Sequence, residues 1–214
     1  MGRIVREGEI RLRWSPMSFI WAAAYKSKVD GSPCGDGYLV QETDTGVKLV
    51  VVDGAGSGVG AAEASARCLR HLAADASVSL PKLFDGAHKA CQGSHGAALA
   101  IATVDPLASK MVWAAVGDIE GLLLNITDGR PSKREAIVQR GGTLGHHLPT
   151  IIPQTHRLEG GDVIIMSSDG IRHAHRDAIV TTKSAENLAT DTLDTYGRES
   201  DDAMVLVVRC EDNR

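Results

Sequence analysis

No apolar run in the 214-residue chain approaches the ~18 residues that a membrane-spanning helix needs; the longest, such as "VKLVVV" and "GLLL", fall far short. The opening "MGRIVREGE" carries charges where a signal peptide needs an apolar stretch. Arg6 stands where a myristoylation signal requires Ser or Thr. The cytoplasm is therefore the expected location. There is no C-x-x-C pair: Cys34, Cys68, Cys91 and Cys210 are widely scattered, which suits thiols in a reducing compartment better than disulfides or a zinc knuckle. His146-His147 and the His173/His175 pair have no second pair at ligand spacing, so zinc is the lesser reading. A basic surplus is missing as well. With a net charge of −4 and a pI near 6.0, nothing points to nucleic acid. Repeats, low-complexity tracts and long linkers are absent, and 1–214 reads as a single domain.

What the chain does contain is strands. With 43% hydrophobic and 23% charged residues it can bury a substantial core. Runs that suit strands are "EIRLRW", "FIWAAAY", "GYLVQE", "VKLVVV", "AALAIATVD", "KMVWAAVG", "GLLLNI", "EAIVQR", "DVIIMSS" and "AMVLVVR". Most are bounded by Gly, Asp, Asn or Pro, the residues that punctuate sheets. Helices are expected over 58–74, 80–91 and 185–196. The first sets Ala62, Ala66, Leu69 and Ala73 on one face at helical spacing. Adjacent strands with bunched helices argue against strict alternation and for an α+β domain of antiparallel sheets covered by helices.

The stretch "VKLVVVDGAGSGVGAAEAS" poses the functional question, since an apolar strand ends in Asp53 and a glycine-rich turn opens a helix. Gly56, Gly58 and Ala61 spell G-x-G-x-x-A, but a dinucleotide site also needs a second strand ending in an acid about 20 residues on. That region reads "AADASVSLPKLFDGAHKA", helix and loop, and no Gly-Lys-Ser/Thr follows for a phosphate loop. A plain structural turn remains the alternative. The device recurs, however. "GDVIIMSSDGI" ends a strand at Asp169, "RESDDAMVLVVR" puts Asp201 and Asp202 at the mouth of another, Asp36 precedes "GYLV", and "MVWAAVGD" ends in Asp118. Two bare carboxylates about 4 Å apart repel by roughly 4 kcal/mol at an effective dielectric near 20. If these acids gather rather than lie scattered on separate loops, cations must accompany them. Ligands that are all oxygen suit Mg²⁺ or Mn²⁺.

In order and spacing these segments resemble the metal-dependent protein serine/threonine phosphatases of the 2C type, from about Asp36 to Arg209. "VVVDGAGSGVGAAEAS" resembles that family's acid-glycine metal motif and "WAAVGDIEGLLL" its central Gly-Asp strand pair. "GGTLGHHLP" is similar to its Gly-Thr-Leu-Gly turn, "GDVIIMSSDGI" to its Ser-Asp-Gly motif, and "DDAMVLVVR" to its closing strand. The compactness, and glycines in place of the usual Asp-Gly-His, are nearest to the bacterial stress-response and sporulation branch, in particular the small phosphatases that reset the stressosome.

The resemblance implies a central antiparallel β-sandwich flanked by helices, in αββα layers, with little or no flap between Gly145 and Gly161. It implies hydrolysis of phosphoserine or phosphothreonine on stressosome-type scaffold or sensor proteins by a metal-activated water, with two Mn²⁺ or Mg²⁺ ions and a third, weaker one. Asp53 would bridge two metals, joined by the Gly54 carbonyl. Asp169 and Asp201 would complete the ligands of the first metal, Asp36 would hold the second directly or through water, and Asp118 would contribute to the third. Asp53 and Asp169 would be central to catalysis. Asp201, rather than Asp202, aligns with the metal acid, and consecutive strand residues face opposite ways. The chain also departs from the family. Ala55 replaces a histidine that serves many relatives as a general acid, and only Lys26 and Lys28 stand where many carry a phosphate-gripping arginine. His146 and His147 are low-ranked proton donors. The alternative function is a degenerate relative that binds a phosphoprotein or metal without turnover.

Overall fold

A computed structural model describes residues 3–75, 77, 79–128, 130–177, 179 and 182–213. In chain order the elements begin with β1 (Ile4–Arg11), β2 (Met17–Lys26), β3 (Asp36–Thr43), β4 (Gly46–Gly54), α1 (Gly58–Ala74) and α2 (Leu80–Ala90). There follow β5 (Ala97–Asp105), β6 (Lys110–Val116), β7 (Glu120–Thr127), β8 (Arg130–Ala136) and β9 (Gln139–Arg140). The chain closes with β10 (Gln154–Arg157), β11 (Val163–Ser167), a 3-10 turn (His173–Asp177), α3 (Ala185–Tyr196) and β12 (Ala203–Asp212).

The strands form two sheets, one ordered β1-β2-β12-β11-β7-β8 and the other β10-β6-β5-β4-β3 with β9 alongside β6. Every pairing is antiparallel except β6 with β9. Between the sheets lies one core, containing Phe19, Leu49, Val51, Trp113, Leu123, Ile164 and Leu206. A second core packs α1 and α2 on β4, β5 and β6 through Cys68, Leu72, Leu83 and Phe84. The third packs α3 on the other sheet through Leu188, Ala189 and Leu193. The result is helix, sheet, sheet, helix, the α+β sandwich that the strand-rich pattern predicts. No helix among the described residues is long and apolar enough to cross a membrane.

Local chemistry explains the helix starts. Pro81 occupies the first turn of α2, where its missing N–H costs nothing. The Ser184 hydroxyl accepts the Asn187 N–H at 3.2 Å and caps α3.

Four details differ from the expectations. β1 starts at Ile4 and ends at Arg11, earlier than "EIRLRW" suggests. The buried face of α1 is Ala61, Ala64, Ser65, Cys68 and Leu72, about one residue out of phase with the expected stripe. "EAIVQR" is divided between the ends of β8 and β9, which lie in different sheets. The segment between Gly145 and Gly161 contains β10, which lies on the edge of β6.

Antiparallel pairing has one consequence for the acids. β3, β5, β7 and β12 begin at the same end of the sandwich where β4, β6 and β11 finish. Asp36 is the direct register partner of Asp53.

Candidate metal centre

At that end a cleft of about 530 Å³ is lined by Lys28, Asp53, Gly56, Asp118, Asp169 and Asp201, among others. Asp53, Asp118 and Asp169 each offer a carboxylate oxygen, and all three oxygens lie within 4.8 Å of one another. Asp53 is the penultimate residue of β4, Asp118 lies in the β6–β7 turn, and Asp169 in the segment after β11. Asp201 precedes β12 at the rim of the same cleft.

Asp36 lies behind Asp53 and is buried. Its Oδ2 accepts a hydrogen bond from the Ser168 hydroxyl at 2.6 Å, and that hydroxyl in turn accepts the Met204 N–H at 3.0 Å. Its Oδ1 is buried without a donor among the described residues, and the side chain neighbours that of its register partner Asp53, another acid. A buried acceptor without a donor, beside another acid, fits a cation, as does the purely carboxylate donor set. Burial, followed by the charges of Asp36 and Asp169, pushes the Asp53 carboxyl up to about 9. Burial likewise raises Asp36 to about 7, although the Ser168 hydrogen bond opposes the rise. Asp169 is raised by burial and by the Asp118 and Asp201 charges. Each shift reports a cluster that disfavours its own ionisation unless positive charge arrives.

Glycines allow the close packing here. A Cβ on Gly54 would lie 2.0 Å from the Ala61 carbonyl oxygen, so only glycine lets α1 lie against the end of β4. Gly117 adopts φ +88°, and a Cβ there would meet the Ala98 side chain at 2.4 Å. Gly142 and Thr143, from the "GGTLG" turn, reach the cleft wall because Leu144 is buried and pairs with Ala97.

The remaining candidates separate. Lys28 lines the cleft, whereas Lys26 Nζ donates to the Gly197 carbonyl at 3.5 Å. Neither His146 nor His147 lines the cleft, and His146 Nε2 lies 3.2 Å from the His95 carbonyl oxygen. Asp202 points away from the cleft, is buried, and accepts backbone N–H groups from Lys28 and Gly35 at 2.7 and 2.8 Å. All four cysteines are free thiols.

Sequence reasoning assigned no role to Ser168, Asp202 or Glu120. Glu120, two residues beyond Asp118, is a buried carboxylate paired with His173 and with Arg176 Nε at 2.9 Å, which ties the 3-10 turn to the cleft. A serine directly before Asp169 and an acid directly after Asp201 were the visible signals. Their partners in the β2–β3 segment, Asp36 for Ser168 and Lys28 and Gly35 for Asp202, lie more than 100 residues away.

A two-sheet sandwich with carboxylates converging at one end defines the architecture of the 2C-type phosphatases. Residues 43–211 match the family described as Stage II sporulation protein E (SpoIIE), and the chain belongs to that family. No curated protein matches it. A solved chain described as "The bacterial stressosome: a modular system that has been adapted to control secondary messenger signaling" is 26% identical, with TM-score 0.80 over 89% of this chain and 99% of that one. RsbX in complex with magnesium is 18% identical with TM-score 0.81, covering 97% of this chain and 100% of RsbX. The catalytic domain of the serine/threonine phosphatase PstP with two manganese ions is 18% identical with TM-score 0.67, covering 92% and 100%.

Proposed function

We propose that the protein is a metal-dependent phosphoprotein phosphatase that removes phosphate from serine or threonine on a cytoplasmic signalling partner of the stressosome type. The observation that carries this reading is the convergence of Asp53, Asp118 and Asp169, with Asp36 buried behind them and short of a donor. A pure binding surface has no need to assemble carboxylates at such electrostatic cost. The stressosome assignment draws support from family membership and from the likeness to RsbX and to the stressosome chain.

Asp53, Asp36, Asp169 and Asp201 are the residues to hold two Mg²⁺ or Mn²⁺ ions, with the Gly54 carbonyl as a further ligand and Asp118 for a third ion. When bound, such ions acidify water and draw charge from phosphoryl oxygens. The chain's own residues do the rest. Ser168 orients Asp36 by donating to Oδ2, leaving Oδ1 without a donor among the described residues. Lys28 brings a positive charge into the cleft for the phosphate dianion. Gly56 and Ser57 place the amino end of α1 at the cleft, a favourable pole for anionic oxygens. Ala55 removes one source of a proton for the leaving alkoxide, so the proton comes from solvent in the open cleft.

The test is hydrolysis of an aryl phosphate with and without Mn²⁺. Stimulation by Mn²⁺ and abolition by excess chelator are expected. Turnover undiminished in chelator overturns the metal mechanism, and Mn²⁺ binding without turnover identifies a non-catalytic regulator instead.

A further inference from the structure

The β2–β3 loop, residues 27–35, passes the cleft with Lys28 near its start and delivers Asp36 directly after its end. One side chain fastens both ends. Asp202 Oδ1 accepts the Lys28 N–H at 2.7 Å and Oδ2 accepts the Gly35 N–H at 2.8 Å. The contact leaves no room at residue 35, since a Cβ there would lie 2.9 Å from Asp202 Oδ2 and 2.9 Å from the Ala61 Cβ. Beyond Gly35 the connections continue. Its carbonyl accepts the Gly54 N–H at 3.1 Å and the Ser65 hydroxyl, so the clasp runs from β12 through the loop to the turn after Asp53 and on to α1.

Two further observations show what the clasp holds in place. Lys28 is the only Lys, Arg or His lining the cleft among the described residues, and it stands among Asp53, Asp118, Asp169 and Asp201. Lys26, two positions earlier at the end of β2, turns to the end of α3. The backbone anchor at Lys28 thus decides which lysine enters the cleft. A flexible ammonium is a point charge that binds well only if its stem is placed.

Resting on the phosphatase reading above, we infer that Asp202 is a positioning residue. It touches neither metal nor substrate, and it fixes Lys28 over the acid cluster as the cation that receives the substrate's phosphate dianion. Selectivity for dianionic monoesters over diesters follows, because a monoester presents the extra charge that Lys28 meets. Asp201, its chain neighbour, belongs to the metal instead.

The experiment compares Lys28→Met, Asp202→Asn, their double variant and Asp201→Asn in the full chain. It measures KM and kcat for para-nitrophenyl phosphate, calorimetric affinity for Mn²⁺ alone, and affinity of the Mn²⁺-loaded protein for inorganic phosphate. Lys28→Met and Asp202→Asn should each raise KM and weaken phosphate binding by about tenfold, with kcat changed far less and Mn²⁺ affinity unchanged. The double variant should be no worse than either single one, because both act through one contact. Asp201→Asn should instead weaken Mn²⁺. Additive losses, or a fall in melting temperature with KM and phosphate affinity untouched, would reduce Asp202 to a structural residue. Weakened Mn²⁺ binding in Asp202→Asn would make it a metal acid. If Asp202→Asn does not fold, Gly35→Ala displaces the same carboxylate and should give the same rise in KM; an unchanged KM sinks the inference. Should no variant, nor the parent, hydrolyse the ester, the phosphatase reading fails. Phosphate affinity then judges the clasp by itself, and equal binding by Lys28→Met and the parent overturns it.

Discussion

Asp53 has three neighbours of its own sign, Asp36, Asp118 and Asp169, and half-buried surroundings, and the metal-free protein bears the consequence. A carboxyl whose folded value is about 9, against an ordinary 3.8, holds its proton more tightly folded than unfolded. Its contribution to stability is fully present below about pH 4 and is lost as pH rises through about 9. Asp36, raised to about 7, acts in the same direction. The chelated protein should therefore melt at lower temperature at pH 8 than at pH 5, and Mn²⁺ should restore more at pH 8. Asp53→Asn keeps the volume and removes the charge. An amide needs no proton uptake on folding, and removing even about 1–2 kcal/mol of that cost should raise the metal-free melting temperature at pH 8 by roughly 2–8 °C. The same variant should lose about 2.7 kcal/mol or more of barrier reduction, roughly 100-fold in kcat. Calorimetric melts and a kinetic assay on one preparation check both signs. A variant that is active and no more stable than its parent would make Asp53 an ordinary turn residue.

At the scale of elements, the parts legible in sequence were those with a pattern: the three helices, the buried strands, and acids sitting at strand ends. β8 reads "RPSKREA" and is almost wholly exposed, so it has no apolar alternation to reveal it. β10, "QTHR", is a four-residue edge strand held by its neighbour β6. The face of α1 was misplaced because "GVGAAEASARCLRHLAA" carries small apolar residues on every side, and spacing alone cannot choose among them. The site divides similarly. Asp53 and Asp169 announce themselves by ending apolar strands, whereas Ser168 and Asp202 acquire meaning only when β3, β11 and β12 meet, and only the fold separates Lys28 from Lys26. Lys48 is another residue whose role emerges from packing. It lies in β4 with its side chain buried, and its ammonium donates to the Leu72 and Asp75 carbonyls at 2.5 and 2.6 Å, satisfying the open carboxyl end of α1. Lys48→Met keeps the stem and strands those acceptors, at a cost of about 2 kcal/mol. The melting temperature should fall by roughly 4–8 °C while the metal affinity holds. An unchanged melt would mean that water replaces the ammonium without loss.

For the molecule as a whole, the phosphatase reading requires that an open cleft be able to choose its substrate. The acid-lined end is a cleft rather than a tunnel, and the segment between Gly145 and Gly161 contributes β10 to a sheet edge, so an intact folded protein could present a phosphorylated loop to the acids. A net charge of −4 gives no long-range pull on an anionic substrate. On the phosphatase reading, Lys28 and bound ions would recognise phosphate but could not distinguish one phosphoserine from another, because every monoester presents the same dianion. Discrimination must then come from protein surface outside the cleft, where contacts remote from phosphorus supply binding that is used in the transition state. A short phosphopeptide offers the phosphate without those contacts. On the stressosome-type reading, its kcat/KM should fall at least about 100-fold below that of the same site on its folded protein, equivalent to about 2.7 kcal/mol of lost docking. Unlabelled, unphosphorylated partner protein should compete against the phosphoprotein and leave para-nitrophenyl phosphate hydrolysis nearly untouched. Equal kcat/KM for peptide and protein would remove docking as the source of selectivity and make the protein a general phosphomonoesterase that relies on its partners' accessibility.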